Sequence, residues 1–325
     1  MNVLVTGIDG FVGSHLAEAL LQKTGINLSG IIRDKTPTEN IGSLLPRIQC
    51  IQTDITDYQQ IWKILDSLRP EKVFHLAGQA FVPHSLDDPL QTFHTNINGT
   101  LNVLEAARQL TLSQKFTCSV LVVSSGEVYG AVSSERLPIK EEESLNPTNP
   151  YAASKASIDL IAQQYRKSFG LNVVVVRPFN HLGPRQSEIF VGSAFAQQVA
   201  EIKLKKRQPK IFVGNLYPER DFTDVRDVVQ AYIELLDHPQ PHAVYNVCSE
   251  KAVELKALLT MMLEIAGIES DILPDPRRQR SQEIQRIVGS AARLRDATGW
   301  APKIPLRDTI KDLLLYWEGR ISHSS

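Results

Sequence analysis

The feature that most limits the fold of this chain is a regular alternation of short β-branched runs with helix-length amphipathic stretches. Such alternation is typical of a parallel sheet, because parallel strands need a long crossover connection that a helix supplies. The apolar runs are NVLVTG, LSGIIRD, KVFHLAG, SVLVVSS and LNVVVVRP, and the helical stretches include SHLAEALLQKTG and TLNVLEAARQL. The continuous run 173–176 is typical of a central strand covered on both faces. The sequence therefore predicts an α/β protein with a Rossmann-type, doubly wound parallel sheet.

The regular alternation ends after Arg177-Pro178, where prolines interrupt the later segments. Residues 222–248 again have the pattern of a helix followed by a strand, which we expect to rejoin the sheet. The sequence thus predicts two units. One comprises 1–177 with about 222–248 and holds the sheet; the other is a smaller, discontinuous α/β lobe of about 178–221 with 249–325, facing the substrate.

The composition gives no sign of a macromolecular or membrane partner. A net charge of −1 over 325 residues provides no electrostatic reason to bind nucleic acid. No stretch approaches the roughly 20 apolar residues of a membrane-spanning helix, and the N-terminus lacks the pattern of a signal peptide. Cys50, Cys118 and Cys248 form no CxxC pair, which indicates free thiols. We expect a cytoplasmic protein without nucleic-acid or membrane partners.

A glycine pattern follows the first predicted strand directly. Gly7, Gly10 and Gly13 end that strand and open the first predicted helix. Residues without a Cβ atom let backbone N–H groups and the helix N-terminus approach a pyrophosphate, whose charge the helix dipole favours. This context predicts a dinucleotide site that includes Phe11 and Val12, with a ligand-free tight turn as the alternative.

The end of the second predicted strand bears on which dinucleotide binds. An NAD-binding protein typically has an acidic residue there for the ribose hydroxyls, whereas this chain has Arg33. A guanidinium can pair with the 2′-phosphate of NADP in a bidentate manner, and Lys35 is a candidate second cation. The acidic Asp34 next to it leaves binding of NAD possible. A further alternative is that Arg33 is only a solvated charge at the end of the strand. The sequence favours NADP(H) and leaves NAD(H) open.

Tyr151 and Lys155 are the candidate acid–base pair. They are four residues apart in a helical stretch, so both side chains share one face. A neighbouring ammonium favours a phenolate, which predicts a lowered pKa for Tyr151. Ser124, Ser125 and Glu127 end a predicted strand at the carboxyl edge of the sheet, where Ser125 can hydrogen-bond a carbonyl or hydroxyl. The order of these motifs indicates an enzyme.

With these motifs in place, the chain resembles the extended short-chain dehydrogenase/reductase family over nearly its whole length. It is most similar to the GDP-4-keto-6-deoxy-D-mannose reductases and their relatives, the GDP-mannose 4,6-dehydratases. The segments that carry this similarity are RPFNHLGPRQ, FVGSAFAQQVAEI, GNLYPERDFTDVRDVV and DPRRQRSQEIQRIVGSAARLRDATGW. The resemblance implies an NAD(P)-binding domain, a nucleotide-sugar-binding lobe, and a homodimer formed through helices near 88–110 and 151–169.

The resemblance also implies further ligand contacts. The implied cofactor contacts are Asp54, Ile55, Leu76, Ala77 and Gly78, with Tyr151 and Lys155. The implied contacts to a GDP-sugar are Ser85, Glu127, Asn180, Val191, Arg220 and Arg280. Arginine suits this role because its guanidinium pairs with phosphate oxygens in a bidentate manner. Ordinary surface pairing of Arg220 and an apolar core position for Val191 are the alternatives. No metal is expected, because no metal-ligand spacing is recognisable among His75, His84 and His181.

Two activities are compatible with these residues. A reductase needs Ser125, Tyr151 and a hydride from NAD(P)H, and would convert GDP-4-keto-6-deoxy-D-mannose to GDP-D-rhamnose or its C4 epimer. A dehydratase also needs a base for the sugar C5 proton, and Glu127 has the spacing of that base. RDFTDVRD and the chain length resemble the reductases, which we favour. A nucleotide-sugar 4-epimerase remains an alternative, as does a non-catalytic NAD(P) sensor, against which the Tyr–Lys pair argues.

Overall fold

A seven-stranded parallel sheet forms the centre of the protein. The structure is a computed structural model and describes residues 1–114, 116–238, 242–278 and 284–323. The strands are β1 (Asn2–Thr6), β2 (Asn27–Ile32), β3 (Gln49–Gln52), β4 (Lys72–His75), β5 (Ser119–Val123), β6 (Asn172–Pro178) and, farther along the chain, β10 (Val244–Val247). Their order is β10-β6-β5-β4-β1-β2-β3, and every neighbouring pair is parallel. The predicted doubly wound sheet is confirmed.

In the described residues, six further strands form two small sheets outside the central one. β7 (Asn180–Leu182), β11 (Ala252–Glu254) and β13 (Arg286–Ile287) all pair with β9 (Glu219–Asp224). β8 (Lys210–Val213) pairs with β12 (Asp271–Pro274).

Helices connect these strands. They are α1 (Phe11–Leu21), α2 (Tyr58–Leu68), α3 (Val82–Asp87), α4 (Pro89–Phe93), α5 (Gly99–Gln114), α6 (Pro150–Phe169), α7 (Val191–Lys203), α8 (Val225–Asp237), α9 (Leu255–Ala266), α10 (Ala292–Thr298) and α11 (Leu306–His323). A π-helical turn, His94–Asn98, joins α4 to α5. Within the described residues, the helices include none that is long and apolar enough to cross a membrane.

The central sheet buries apolar residues on both faces, which explains the continuous apolar runs of its strands. Val3 and Val5 of β1 belong to one hydrophobic core, which includes Leu16 of α1. Leu4, whose side chain points to the opposite face, belongs to a second core with Val103 of α5. Successive residues in the middle of such a strand, such as Val3, Leu4 and Val5, are therefore apolar, rather than every second one.

A third hydrophobic core lies among α7, α9 and α11. The segment between α9 and α11 contributes to a different core. Ile287, Leu294 and Trp300 belong to the core on one face of the central sheet, and the indole of Trp300 donates to the Asp227 carbonyl at 2.9 Å. Segment 287–300 thus packs with the central sheet, because its apolar side chains complete that core.

The segment RDFTDVRD places three buried aspartates where they connect the later chain to β9 and α8. Asp221 accepts from the Ser249 amide at 2.7 Å, the Glu250 amide at 3.0 Å and the Gly289 amide at 3.2 Å. Asp224 accepts from the Thr309 hydroxyl at 2.7 Å, and Asp227 accepts from the amides of Lys303 and Ile304, both at 2.9 Å. Buried carboxylates need such partners, so this motif has a structural role as well as a family likeness.

Candidate active site

The glycine turn between β1 and α1 is shaped by close backbone contacts. Gly7 has a φ of +68°, and a Cβ atom there would lie 3.1 Å from the Cα atom of Ala77. A Cβ atom on Gly13 would lie 2.1 Å from the Gly7 carbonyl oxygen, which no side chain can tolerate. Helix α1 begins after Gly10 without a side-chain cap. Its first amide groups, those of Phe11, Val12 and Gly13, therefore fit a dinucleotide phosphate.

The segment after β4, which contains Leu76, Ala77 and Gly78, is held against this turn. The Ala77 amide donates to the Thr6 hydroxyl oxygen at 3.1 Å, and Thr6 also hydrogen-bonds the Nδ1 atom of His75 at 2.8 Å. Burial lowers the pKa of His75 to about 3, so the imidazole is neutral. Its role is to fix this strand end, because its other nitrogen hydrogen-bonds the buried Thr100.

The predicted adenosine contacts lie at the ends of β2 and β3. Arg33 follows β2 directly, and its side chain is 83% exposed with Asp34 at 3.4 Å. Asp54 accepts from the amide and the hydroxyl of Thr56, both at 2.8 Å, and the amide hydrogen bond lowers the pKa of Asp54. Ile55 is buried in a hydrophobic core. Arg33 therefore has room to meet a phosphate, whereas the Ile55 side chain supports the sheet.

Ser125, Tyr151 and Lys155 come together at the carboxyl edge of the sheet. Tyr151 hydrogen-bonds the Ser125 hydroxyl. Lys155 is buried, its ammonium donates to the Val123 carbonyl at 2.8 Å, and it lies 6.0 Å from the centroid of the Tyr151 ring. A Cβ atom on Gly78 would lie 3.7 Å from this ammonium, so the pair adjoins the predicted dinucleotide segment. The geometry suits proton transfer beside a dinucleotide.

The expected lowering of the Tyr151 pKa is wrong for this structure. Burial raises the pKa of Tyr151, and the negative charge of Glu127 adds to that effect. The ammonium of Lys155 is directed at the Val123 carbonyl, and burial lowers its own pKa to about 8. Tyr151 is therefore protonated at neutral pH, which is the form that donates a proton.

Glu127 has a partner that sequence reasoning missed. The Nδ2 atom of Asn149 donates to the Glu127 carboxylate at 3.2 Å, while the Oδ1 atom of Asn149 accepts from the Ala152 amide at 2.8 Å and caps α6. The Asn-Pro pair before Tyr151 is an N-terminal helix signal and could have indicated the cap. Its link to Glu127 joins residues 22 positions apart and depends on the fold.

Asn96 is a second polar residue that the sequence did not single out. It lies in the π-helical turn and is buried, accepts from the Gln79 amide at 2.8 Å, and donates to the Ser154 hydroxyl oxygen at 2.8 Å. Asn96 thus connects the segment after β4 to α6. Such π-turns are frequent at functional sites, but no local sequence signal distinguishes one from a regular helix.

A cavity of about 500 Å³ opens between the segment after β4 and the start of α7. The rings of Phe81 and Phe190 meet across it with centroids 6.1 Å apart. Val191, at the start of α7, is 36% exposed and follows Phe190, which lines this cavity. Ser85 is fully buried, and its hydroxyl donates to the Val82 carbonyl at 2.7 Å. The Ser85 hydroxyl is therefore directed into its own helix rather than into the cavity.

The remaining predicted substrate residues lie on the small sheet or outside the described residues. Asn180 is exposed on β7, whose partner is β9. Arg220 on β9 donates to the Glu219 carbonyl at 2.9 Å, and Glu219 in turn pairs with Arg286 at 3.2 Å. Arg280 lies outside the described residues. No group of three or more metal-binding side chains occurs in the described ranges.

Comparison with known proteins identifies the family. A family model described as GDP-mannose 4,6 dehydratase matches residues 4–313. The chain belongs to this family. Within the GDP-mannose 4,6-dehydratase family, the chain is 38% identical to the GDP-6-deoxy-D-mannose reductase of Pseudomonas aeruginosa, over 98% of each chain. It is 29% identical to GDP-mannose 4,6 dehydratase 1 of Arabidopsis thaliana, over 95% of this chain and 87% of that one.

A solved structure agrees with this membership. The structure of RMD from Pseudomonas aeruginosa complexed with NADPH superposes on this protein with a TM-score of 0.83 and 36% identity, and the match covers 98% of this chain and 99% of that one. The resemblance to the family and the Rossmann-type fold predicted from the sequence are both confirmed.

Proposed function

We propose that this protein reduces the C4 keto group of GDP-4-keto-6-deoxy-D-mannose to GDP-D-rhamnose with NADPH. The observation that carries the proposal is the Ser125, Tyr151 and Lys155 cluster beside the glycine turn, with Tyr151 held in its proton-donating form. Its 38% identity to a GDP-6-deoxy-D-mannose reductase over nearly the full length supports the same substrate. The protein is thus an NAD(P)-dependent nucleotide-sugar oxidoreductase.

The residues act together on the carbonyl oxygen. NADPH, when bound along the glycine turn, supplies the hydride for C4. Ser125 orients the C4 carbonyl by donating a hydrogen bond to its oxygen. Tyr151 donates its phenolic proton to that oxygen as negative charge develops there. Lys155, protonated below pH 8, then stabilises the phenolate that forms on Tyr151.

The proposal is tested in two parallel reactions. The first is followed by the absorbance of NADPH, and the second is assayed for keto-sugar. Purified protein with NADPH and GDP-4-keto-6-deoxy-D-mannose should consume one NADPH per keto-sugar. A parallel reaction of GDP-mannose with NADP should yield no keto-sugar. Formation of keto-sugar from GDP-mannose, with no loss of NADPH in the first reaction, would instead establish the dehydratase.

The dehydratase is the second candidate because of Glu127. A carboxylate two residues after Ser125 is within the electrostatic reach of Tyr151, and the Arabidopsis dehydratase is 29% identical to this chain. In that reaction Glu127 would remove the C5 proton of the sugar. We favour reduction, because the sequence identity to the reductase is 38%, against 29% to the dehydratase.

We propose NADPH as the preferred cofactor because Arg33 stands exposed at the end of β2, and the Pseudomonas aeruginosa relative was solved with NADPH. Arg33→Ala should raise the KM for NADPH about 10- to 100-fold, the loss expected for a charge-assisted phosphate contact of about 1.5–3 kcal/mol. The KM for NADH should change less than about twofold, because NADH has no 2′-phosphate. Equal effects on both cofactors in steady-state assays would argue against this role.

The buried Lys155 predicts a loss of activity in base. Burial lowers its pKa to about 8, so the ammonium is present below this pH and disappears above it. kcat/KM for reduction should be level from about pH 6.5 to 7.5 and fall about tenfold per pH unit above the pKa. Lys155→Met should lower activity and remove this pH dependence. A wild-type profile that stays level to pH 9.5 would contradict the assignment.

We propose a homodimer formed through the helices near 88–110 and 151–169, supported by exposed leucines on these helices. Leu90 is 80% exposed and Leu160 is 59% exposed. Exposed apolar surface of this kind is typical of a face that packs against a partner. Leu160→Glu should halve the mass measured by light scattering. Leu315→Glu is the matched control, since Leu315 is 54% exposed on α11, away from these helices. A monomeric wild type would refute the dimer.

We also propose a cytoplasmic location. Cys118 and Cys248 are buried free thiols, and Cys50 is a partly buried one. Free thiols suit a reducing compartment. Recovery of the protein in the soluble cytoplasmic fraction of its source cells would support the proposal, and recovery outside the cytoplasm would overturn it.

A further inference from the structure

Asn149 makes two hydrogen bonds that connect separate parts of the active site. Its Oδ1 atom accepts from the Ala152 amide at 2.8 Å and so begins α6, the helix that carries Tyr151 and Lys155. Its Nδ2 atom donates to the Glu127 carboxylate at 3.2 Å. The amide side chain uses one end for the helix and the other for the carboxylate.

Glu127 closes this arrangement into a ring of contacts. Its backbone amide donates to the Ser125 hydroxyl oxygen at 3.1 Å, and Ser125 hydrogen-bonds Tyr151. Tyr151 lies two residues after Asn149, so the contacts return to their starting point along α6. The Glu127 side chain is partly buried. Its charge therefore acts through a medium that screens it less than water does.

We propose that Asn149 is a positioning residue, which sets the start of the Tyr151 helix and the orientation of the Glu127 carboxylate toward Tyr151 with one side chain. The inference rests on the reductase proposed above, in which Tyr151 must hold a proton. Among the described residues, the ionisable groups that face Tyr151 are Glu127, Lys155 from the same helix and Tyr232 from α8. Glu127 is the carboxylate among them.

The consequence is a phenol that keeps its proton until the substrate accepts it. Glu127 raises the pKa of Tyr151, in addition to the effect of burial. During reduction the O–H bond of Tyr151 breaks as the new O–H bond forms on the C4 oxygen, and the phenolate later regains a proton from solvent. With the carboxylate turned away, the phenol would ionise more readily before it meets the substrate.

Two variants separate the helix cap from the carboxylate contact. Asn149→Ser keeps a good cap acceptor but lacks the amide that reaches Glu127. Asn149→Ala removes both functions. Asp57→Ala is the control for cap loss, because Asp57 caps α2 through the Gln60 amide at 3.1 Å. The melting temperature should fall for Asn149→Ala and Asp57→Ala and change little for Asn149→Ser.

The decisive readout is the titration of the phenol itself. A fluorinated tyrosine at position 151, which ionises nearer to neutral pH, is followed by fluorine NMR. Its midpoint should fall by about 0.5–1 pH unit in Asn149→Ser and in Glu127→Gln, as expected for the displacement or loss of one partly buried charge. Adding Asn149→Ser to Glu127→Gln should cause no further shift, because both act through the same carboxylate.

Three results would overturn the proposal. They are a wild-type midpoint in Asn149→Ser, no shift in Glu127→Gln, or shifts that add in the double variant. The titration needs no substrate, so it distinguishes this inference from the proposed reaction. If reduction is not observed while the midpoints shift, the positioning role is supported and the assigned substrate is wrong. In the reductase, Asn149→Ser should lower kcat about three- to tenfold with the NADPH dissociation constant unchanged.

Discussion

Tyr151→Phe should reduce kcat for NADPH-dependent reduction by about 10²- to 10⁴-fold, the range expected when a general acid is lost. The variant removes a single oxygen atom and leaves the ring, so α6 and its packing stay intact. Ser125 would still hydrogen-bond the carbonyl, but no adjacent group would supply the proton. We expect the dissociation constant for NADPH, measured by fluorescence titration, to change by no more than about threefold.

Tyr165→Phe is the matched control for this experiment. Tyr165 lies on the same helix, and its hydroxyl donates to Glu105 at 3.2 Å, away from the cluster around Ser125. Its kcat should lie within about twofold of the wild-type value. Retention of more than about a tenth of wild-type kcat by Tyr151→Phe would show that another group donates the proton, and the proposed mechanism would then be wrong.

Asp159→Ala should destabilise the protein by about 3–5 kcal/mol, because it leaves a buried guanidinium without its counter-charge. Arg177 of β6 donates to Asp159 of α6 through Nε at 2.7 Å and Nη2 at 3.1 Å. Their side chains are 4% and 0% exposed. The Arg177 guanidinium also donates to the Tyr129 hydroxyl at 2.8 Å, so this network anchors α6 to the sheet.

The free energy of unfolding, measured by urea denaturation, checks this expectation. Asp34→Ala is the control, because Asp34 pairs with Arg33 at the surface, where an ion pair contributes about 0–1 kcal/mol. Replacing both buried partners, as in Asp159→Leu with Arg177→Met, should recover most of the lost stability. A loss below about 1 kcal/mol for Asp159→Ala would mean that water reaches Arg177 and that the pair does not anchor α6.

The sequence anticipated those features of the candidate site that depend on local pattern. Gly7, Gly10 and Gly13 predicted the turn because such a turn excludes side chains, and the structure shows these close contacts. The spacing of Tyr151 and Lys155 placed both on one helical face, because residues four apart in a helix lie on the same side. The same spacing predicted the wrong direction for the Tyr151 pKa, since burial and the Glu127 charge depend on neighbours far along the chain.

What the sequence determined by itself was the parallel sheet and the order of its motifs, because strand and helix periodicity and turn chemistry act over a few residues. Tertiary structure alone decided which polar groups meet. Asp159 has the pattern of a solvated helix charge but lies fully buried against Arg177. Asn149 begins a helix by a local rule, yet its contact with Glu127 exists only because the start of α6 lies beside the turn that follows β5. Electrostatic interactions of this kind depend on distance and burial, and neither quantity is encoded in local spacing.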